Sequence, residues 1–178
     1  MSRTLVFDTE TTGLVGCSLM QQGQQPHITE FYGAMLDWEG KQIDELESLI
    51  NPRVSIPEKI VKITGIDDAM VKDAPTFSEF APRLLAFIER ADVIVAHNLS
   101  FDRFMIQIEM ARTGTPCRMP EVQICTVEAT EWMLGFRLSQ TALHEHLFGE
   151  AYPSAHRARN DVVALVRIFK ELRERGDV

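Results

Sequence analysis

The spacing of apolar residues changes along the chain, and each change predicts an element. Residues 3–8 (RTLVFD), with Leu5, Val6 and Phe7 apolar in a row before Asp8, read as a buried strand. Residues 28–38 (ITEFYGAMLDW) and 41–50 (KQIDELESLI) predict two more strands. Glu39-Gly40 between them is a short turn, so the two form a hairpin. From residue 76 the period lengthens. Phe77, Phe80, Leu84, Phe87 and Ile88 form a helical stripe over 76–90, with Thr76 as its N-cap. Residues 92–96 (DVIVA) predict a short apolar strand. A helix over 100–112 follows, with Phe101, Phe104, Met105, Ile108 and Met110 largely on one side. A strand near 122–125 and helices near 126–134 and 139–147 come next. Val162, Leu165, Val166, Phe169 and Leu172 mark a last helix over about 160–174.

Strands, then helix, strand, helix, strand and helices make an α/β layered domain. A mixed sheet is expected, antiparallel in the hairpin and parallel in the later strands. The 178 residues suit a single domain, 1–178, with a sizeable core. The segment 15–27 (VGCSLMQQGQQPH) is polar and glutamine-rich without periodicity. It reads equally as a substrate flap or as a surface loop.

Composition narrows the setting. There is no run of 18 apolar residues for a membrane helix, and the first residues lack a signal peptide's apolar stretch. Cys17, Cys117 and Cys125 show no paired spacing, which speaks against a disulfide framework or zinc site and for a cytoplasmic location. The net charge of −8 lacks the basic footprint of a nucleic-acid binder. The charge is uneven, however. Residues 156–175 carry Arg157, Arg159, Arg167, Lys170, Arg173 and Arg175 against Asp161, Glu171 and Glu174. A solvated helix face is the plainer reading of those cations.

The acids at element boundaries change the picture. Asp8 and Glu10 stand two apart at the end of the first strand, so both project from one face. Two unpaired carboxylates there repel and lose solvation, and a divalent cation with a preference for oxygen ligands relieves both costs. Asp102 follows the strand 92–96 in the first turn of the next helix. Alone, it reads as a helix N-terminal acid. Asp161 opens the last helix after Asn160, a possible cap. His156 is five residues earlier, and on a continuous helix the two side chains would diverge by about 140°. Both serve one site only if His156 lies in a loop, and Tyr152-Pro153-Ser154 marks a chain break there.

Taken in order, DTETTGL at 8–14, HNLSFD at 97–102 and HRARND at 156–161 resemble the three motifs of the DnaQ-like exonuclease superfamily, DEDD type. ITGI at 63–66 and VAHN at 95–98 are similar to the family's intervening segments. A histidine at 156, with no tyrosine four residues before Asp161, resembles the His subtype. The family often has His-Gly-Ile where this chain has Thr64-Gly65-Ile66, and Asp-Thr where it has Cys125-Thr126.

That resemblance implies a ribonuclease H-like fold, a central mixed five-stranded sheet flanked by helices. It implies a 3′→5′ exonuclease that releases nucleoside 5′-monophosphates from single-stranded DNA in proofreading or repair. Two Mg²⁺ ions are expected, with Mn²⁺ as a substitute. Asp8, Glu10 and Asp161 would hold one, and Asp8 and Asp102 the second. His156 would be the general base, with activity rising through about pH 6–8. Thr11, Thr12 and Gly13 would meet the 3′ end through their backbone, Leu14 would wedge beneath the last base and Phe101 would stack on it. Asn98 would bond the strand or hold its own turn, and Arg157 and Arg159 would meet phosphates. Expected partners are a single-stranded 3′ end and a DNA polymerase. The competing readings are an exoribonuclease of the ribonuclease T or oligoribonuclease kind, and a non-catalytic polymerase-binding module.

Overall fold

The computed structural model describes residues 2–16, 25–152 and 156–178. Cys17, most of the glutamine-rich loop and the Pro153-Ser154 break lie outside them. The sheet has five strands in the order β3-β2-β1-β4-β5. These are β1 (Thr4–Thr11), β2 (Ile28–Leu36), β3 (Gln42–Leu49), β4 (Val93–Ala96) and β5 (Val122–Cys125). β1, β2 and β3 pair antiparallel, and β4 and β5 add parallel. This is the mixed sheet expected from the order of elements. The helices among the described residues are α1 (Glu58–Thr64), α2 (Asp68–Val71), α3 (Phe77–Ile88), α4 (Leu99–Thr113), α5 (Thr126–Leu134), α6 (Gln140–Phe148) and α7 (Ala158–Arg175).

β1 runs three residues past its expected end. Asp8 pairs with Tyr32, and Glu10 pairs with Glu30. The backbone ladder carries the strand on after its apolar run stops, which the hydrophobic pattern alone does not reveal. α7 begins at Ala158, two residues earlier than expected, so Asn160 is not its cap. Other groups satisfy the free donors of its first turn. The Ala158 amide donates to Glu30 Oε2 at 2.9 Å, and the Arg157 amide to Asp161 Oδ2 at 3.0 Å. α3 follows its sequence signal, with a capping box between Thr76 and Glu79.

Alternation along β1 divides the core. Leu5 and Phe7 pack with Phe31, Phe80, Leu84 and Met105, beneath α3 and α4. Val6 packs with Tyr32, Val95, Val162, Leu165 and Phe169, against α7. By the same period, Asp8 and Glu10 lie on the α7 face and Thr9 on the α4 face. One strand end thus receives helices from both sides.

Candidate active site

Three carboxylates meet on the α7 side. Asp8, Glu10 and Asp161 each offer an oxygen, and these atoms lie within 4.8 Å of one another. Desolvation pushes each of them up. Asp8 is well above the usual carboxylate range, first through burial and then through Asp102 and Glu10. Glu10 is raised to about 8 by burial and by Asp161 and Glu30. Burial raises Asp161 too, against hydrogen bonds from Tyr152 and from the Arg157 backbone. Carboxylates so crowded and desolvated are poor company for one another. The set fits a hard divalent cation, which prefers oxygen ligands and relieves the repulsion.

Asp102 arrives from the other face. It is buried in the first turn of α4, and its Oδ1 accepts the Thr9 amide at 3.0 Å and the Thr9 hydroxyl at 2.7 Å. Thr9 stands between Asp8 and Glu10, so one strand segment orients acids on both of its faces. Burial lifts Asp102 to about 7, against those two bonds. Oδ1 is engaged by Thr9, and Asp102 is close enough to Asp8 to help raise it.

His156 sits in the segment before α7, exposed, with a positive φ of 70°. Being outside the helix removes the angular conflict between His156 and Asp161. A left-handed backbone at a non-glycine residue costs about 1–3 kcal/mol and collects at functional sites.

An apolar cleft of about 500 Å³ opens beside the acids, a size ordinary for a small-molecule site. One wall is Glu10 to Leu14, the other is Ile60 and Ile63 of α1, and Phe101 adjoins both. Leu14 is 85% exposed, so a large apolar side chain stands ready at the mouth. Phe101 is half-buried, lines the cleft and packs on the core beneath it. Of the expected backbone contacts, the Thr12 amide is already engaged, donating to His27 O at 2.8 Å. The Thr11 hydroxyl likewise donates to Gly13 O at 2.7 Å. Asn98 adopts the left-handed conformation, φ 63° and ψ 49°, that turns β4 into α4. Asparagine tolerates it well, so Asn98 holds its own turn.

Arg157 and Arg159 do not extend toward solvent phosphates. Arg157 Nη2 donates to Glu30 Oε1 at 2.7 Å, and Arg159 Nη2 to Glu47 Oε2 at 2.7 Å. Arg159 also lies over the Tyr32 ring, 4.7 Å from its centre. Both cations tie α7 to the hairpin.

Three residues were not singled out from sequence. Glu30 is buried in an otherwise apolar strand, a signal in itself, because a buried charge demands a partner. Gln140 and Tyr152 reach Asp161 from α6 and from the segment after it. No local pattern announces them. His97 is partly buried and neutral, lowered to about 4 by desolvation first. Its Nε2 donates to Leu138 O at 3.1 Å while Nδ1 accepts the Thr126 hydroxyl at 2.9 Å. It ties the end of β4 to α5 and to the approach of α6.

Comparison with known proteins agrees with this architecture. The exonuclease family model matches residues 5–169. The chain is 33% identical over 175 residues to the PolC-type DNA polymerase III of Caldanaerobacter subterraneus subsp. tengcongensis. That match covers 96% of this chain but only 12% of the polymerase. It is 31% identical over 168 residues to the DNA polymerase III subunit epsilon of Treponema pallidum, covering 92% of this chain and 73% of that subunit. Among solved structures, exonuclease X in complex with 5′ overhanging duplex DNA aligns at 27% identity with a TM-score of 0.67. That alignment covers 97% of this chain and 93% of exonuclease X. The chain belongs to the DnaQ-like 3′→5′ exonuclease superfamily.

Proposed function

We propose that the protein is a divalent-metal-dependent 3′→5′ exonuclease acting on single-stranded DNA. The observation that carries this reading is the convergence of Asp8, Glu10 and Asp161 beside an apolar cleft. Asp8, Glu10 and Asp161 would hold one ion, and Asp8 and Asp102 would serve a second. When bound, Mg²⁺, or Mn²⁺ in its place, neutralises charge gathering on the phosphate and makes water more acidic.

The residues divide the remaining work. The last base enters the cleft between Leu14 and Phe101, against Ile60 and Ile63. Stacking on an aromatic ring contributes about 1–3 kcal/mol per base and tolerates any sequence. The Thr12 amide is engaged with His27 O and the Gly13 carbonyl with the Thr11 hydroxyl, so the Gly13 amide is offered to the terminal nucleotide. His156 takes a proton from the attacking water as its oxygen bonds to phosphorus. The bond from phosphorus to the 3′-oxygen breaks, and a nucleoside 5′-monophosphate departs. The names of the two polymerase relatives support a DNA substrate and work beside a polymerase.

The test is a time course on 5′-labelled single-stranded DNA and its RNA twin, with Mg²⁺, Mn²⁺ or EDTA. The expected result is a metal-dependent ladder shortening from the 3′ end, faster on DNA. A faster RNA ladder would transfer the assignment to an exoribonuclease. Cleavage of neither strand, with metal bound, would leave a non-catalytic module.

A further inference from the structure

Asp161 is gripped more completely than its role as a metal ligand alone requires. Its Oδ2 accepts the Arg157 amide, and its Oδ1 accepts the Tyr152 hydroxyl at 2.5 Å. The Gln140 side-chain amide then spans that bond. Nε2 donates to the Tyr152 hydroxyl at 3.2 Å and to the Asp161 carbonyl at 2.7 Å. Gln140 is buried, so these donors compete with little water.

The hydroxyl is also held from behind. The Tyr152 ring packs edge-on against His144, with centroids 5.3 Å apart. His144 is itself buried, and its Nδ1 donates to Glu150 O at 2.8 Å. Tyr152 therefore cannot turn away without disturbing α6.

We infer that Tyr152, oriented by Gln140, is a positioning residue that sets the Asp161 carboxylate for metal binding. A carboxylate in the first turn of a helix rotates freely about two bonds. A donor on each oxygen fixes both rotations, and each oxygen keeps a lone pair for a cation. Partners behind a metal ligand typically govern affinity or activity by about 10–100-fold. Tyr152 and Arg157 also flank His156 in sequence, so Asp161 anchors the chain on both sides of the proposed base.

This inference rests on the reading of Asp161 as a metal ligand, so its test is read without substrate first. Mn²⁺ is titrated into metal-free wild type, Tyr152→Phe and Gln140→Leu, following free Mn²⁺ by electron paramagnetic resonance. Tyr152→Phe keeps the ring that packs on His144 and removes only the hydroxyl. It should bind Mn²⁺ about 10–100-fold more weakly. Gln140→Leu should move affinity the same way by less, with both melting temperatures near wild type. On single-stranded DNA, kcat of Tyr152→Phe should fall at limiting Mn²⁺ and recover at saturating Mn²⁺, with KM unchanged. A residue that serves only the fold would lower the melting temperature and show no such metal rescue. Wild-type Mn²⁺ affinity in both variants overturns the inference. Absence of cleavage by the wild type overturns the exonuclease reading, while the Mn²⁺ comparison still decides the role of Tyr152.

Discussion

Two acid-rich patches lie side by side under the start of α7, and they have opposite fates. In the hairpin patch, Glu30, Glu45 and Glu47 all have arginine partners, Arg157 or Arg159. Glu45 is held below the usual carboxylate range, first by its bond from Tyr32 and then by Arg159. In the strand-end patch, Asp8, Glu10 and Asp161 crowd together and are all raised. Glu10 is directly opposite Glu30 in the ladder, so the divide runs between two paired residues. The same helix supplies cations to one patch and a further acid to the other. Acids that the fold neutralises are structural. Acids that it gathers and leaves in need of charge are where an ion belongs.

The largest expected effect comes from removing a strand-end acid. Asp8→Asn should lower kcat/KM by about 10³-fold or more, because several kcal/mol of transition-state stabilisation depend on the ions. In EDTA the same change should raise the melting temperature, since it relieves repulsion. His156→Asn should slow turnover by about 10²–10⁴-fold, the usual weight of a general base, with Mn²⁺ affinity retained. Asparagine suits this position because it accepts the left-handed backbone.

The hairpin patch should respond in stability instead. Arg157→Ala leaves Glu30 buried without its guanidinium and should cost about 2–3 kcal/mol in urea unfolding. Arg159→Ala, whose partners are exposed, should cost no more than about 1 kcal/mol. A large rate loss in Arg159→Ala with unchanged stability would blur the distinction between the patches.

The strand-end acids also set a pH dependence for the metal-free protein. Glu10 at about 8 and Asp102 at about 7 bind more protons folded than unfolded near neutrality. Their stabilisation is present at low pH and is lost as pH rises through those values. His97, lowered to about 4, acts oppositely, but its effect fades as pH rises past about 6.5, the midpoint of the unfolded imidazole. Between about pH 6.5 and 8 the melting temperature in EDTA should therefore fall, and added Mn²⁺ should restore more of it at pH 8 than at 6.5. A flat profile across that window would mean the acids are not crowded as described.

Much of this was legible in the sequence, for definite reasons. Strands such as 92–96 and the stripe from Phe77 to Ile88 announce themselves because burial imposes a period on the chain. The acids stood out because Asp8 and Glu10 interrupt a strand's end at a spacing of two. Helix geometry and the Tyr152-Pro153-Ser154 break together pointed to a loop position for His156. The losses occurred where tertiary contacts override local pattern. β1 continues through polar residues because β2 offers a ladder, and α7 starts early because Glu30 caps it from another strand. α1, which walls the cleft with Ile60 and Ile63, is too short to display a period. Arg157 and Arg159 looked like phosphate ligands because sequence cannot show that Glu30, Glu45 and Glu47 lie opposite. Tyr152 and Gln140 have meaning only through Asp161, 9 and 21 residues away.

The most direct test of the division between patches is anomalous diffraction from crystals soaked in Mn²⁺. The account predicts Mn²⁺ density among Asp8, Glu10 and Asp161 and none at Glu45 and Glu47. Density at the hairpin glutamates, or an empty strand end at millimolar Mn²⁺, would contradict it.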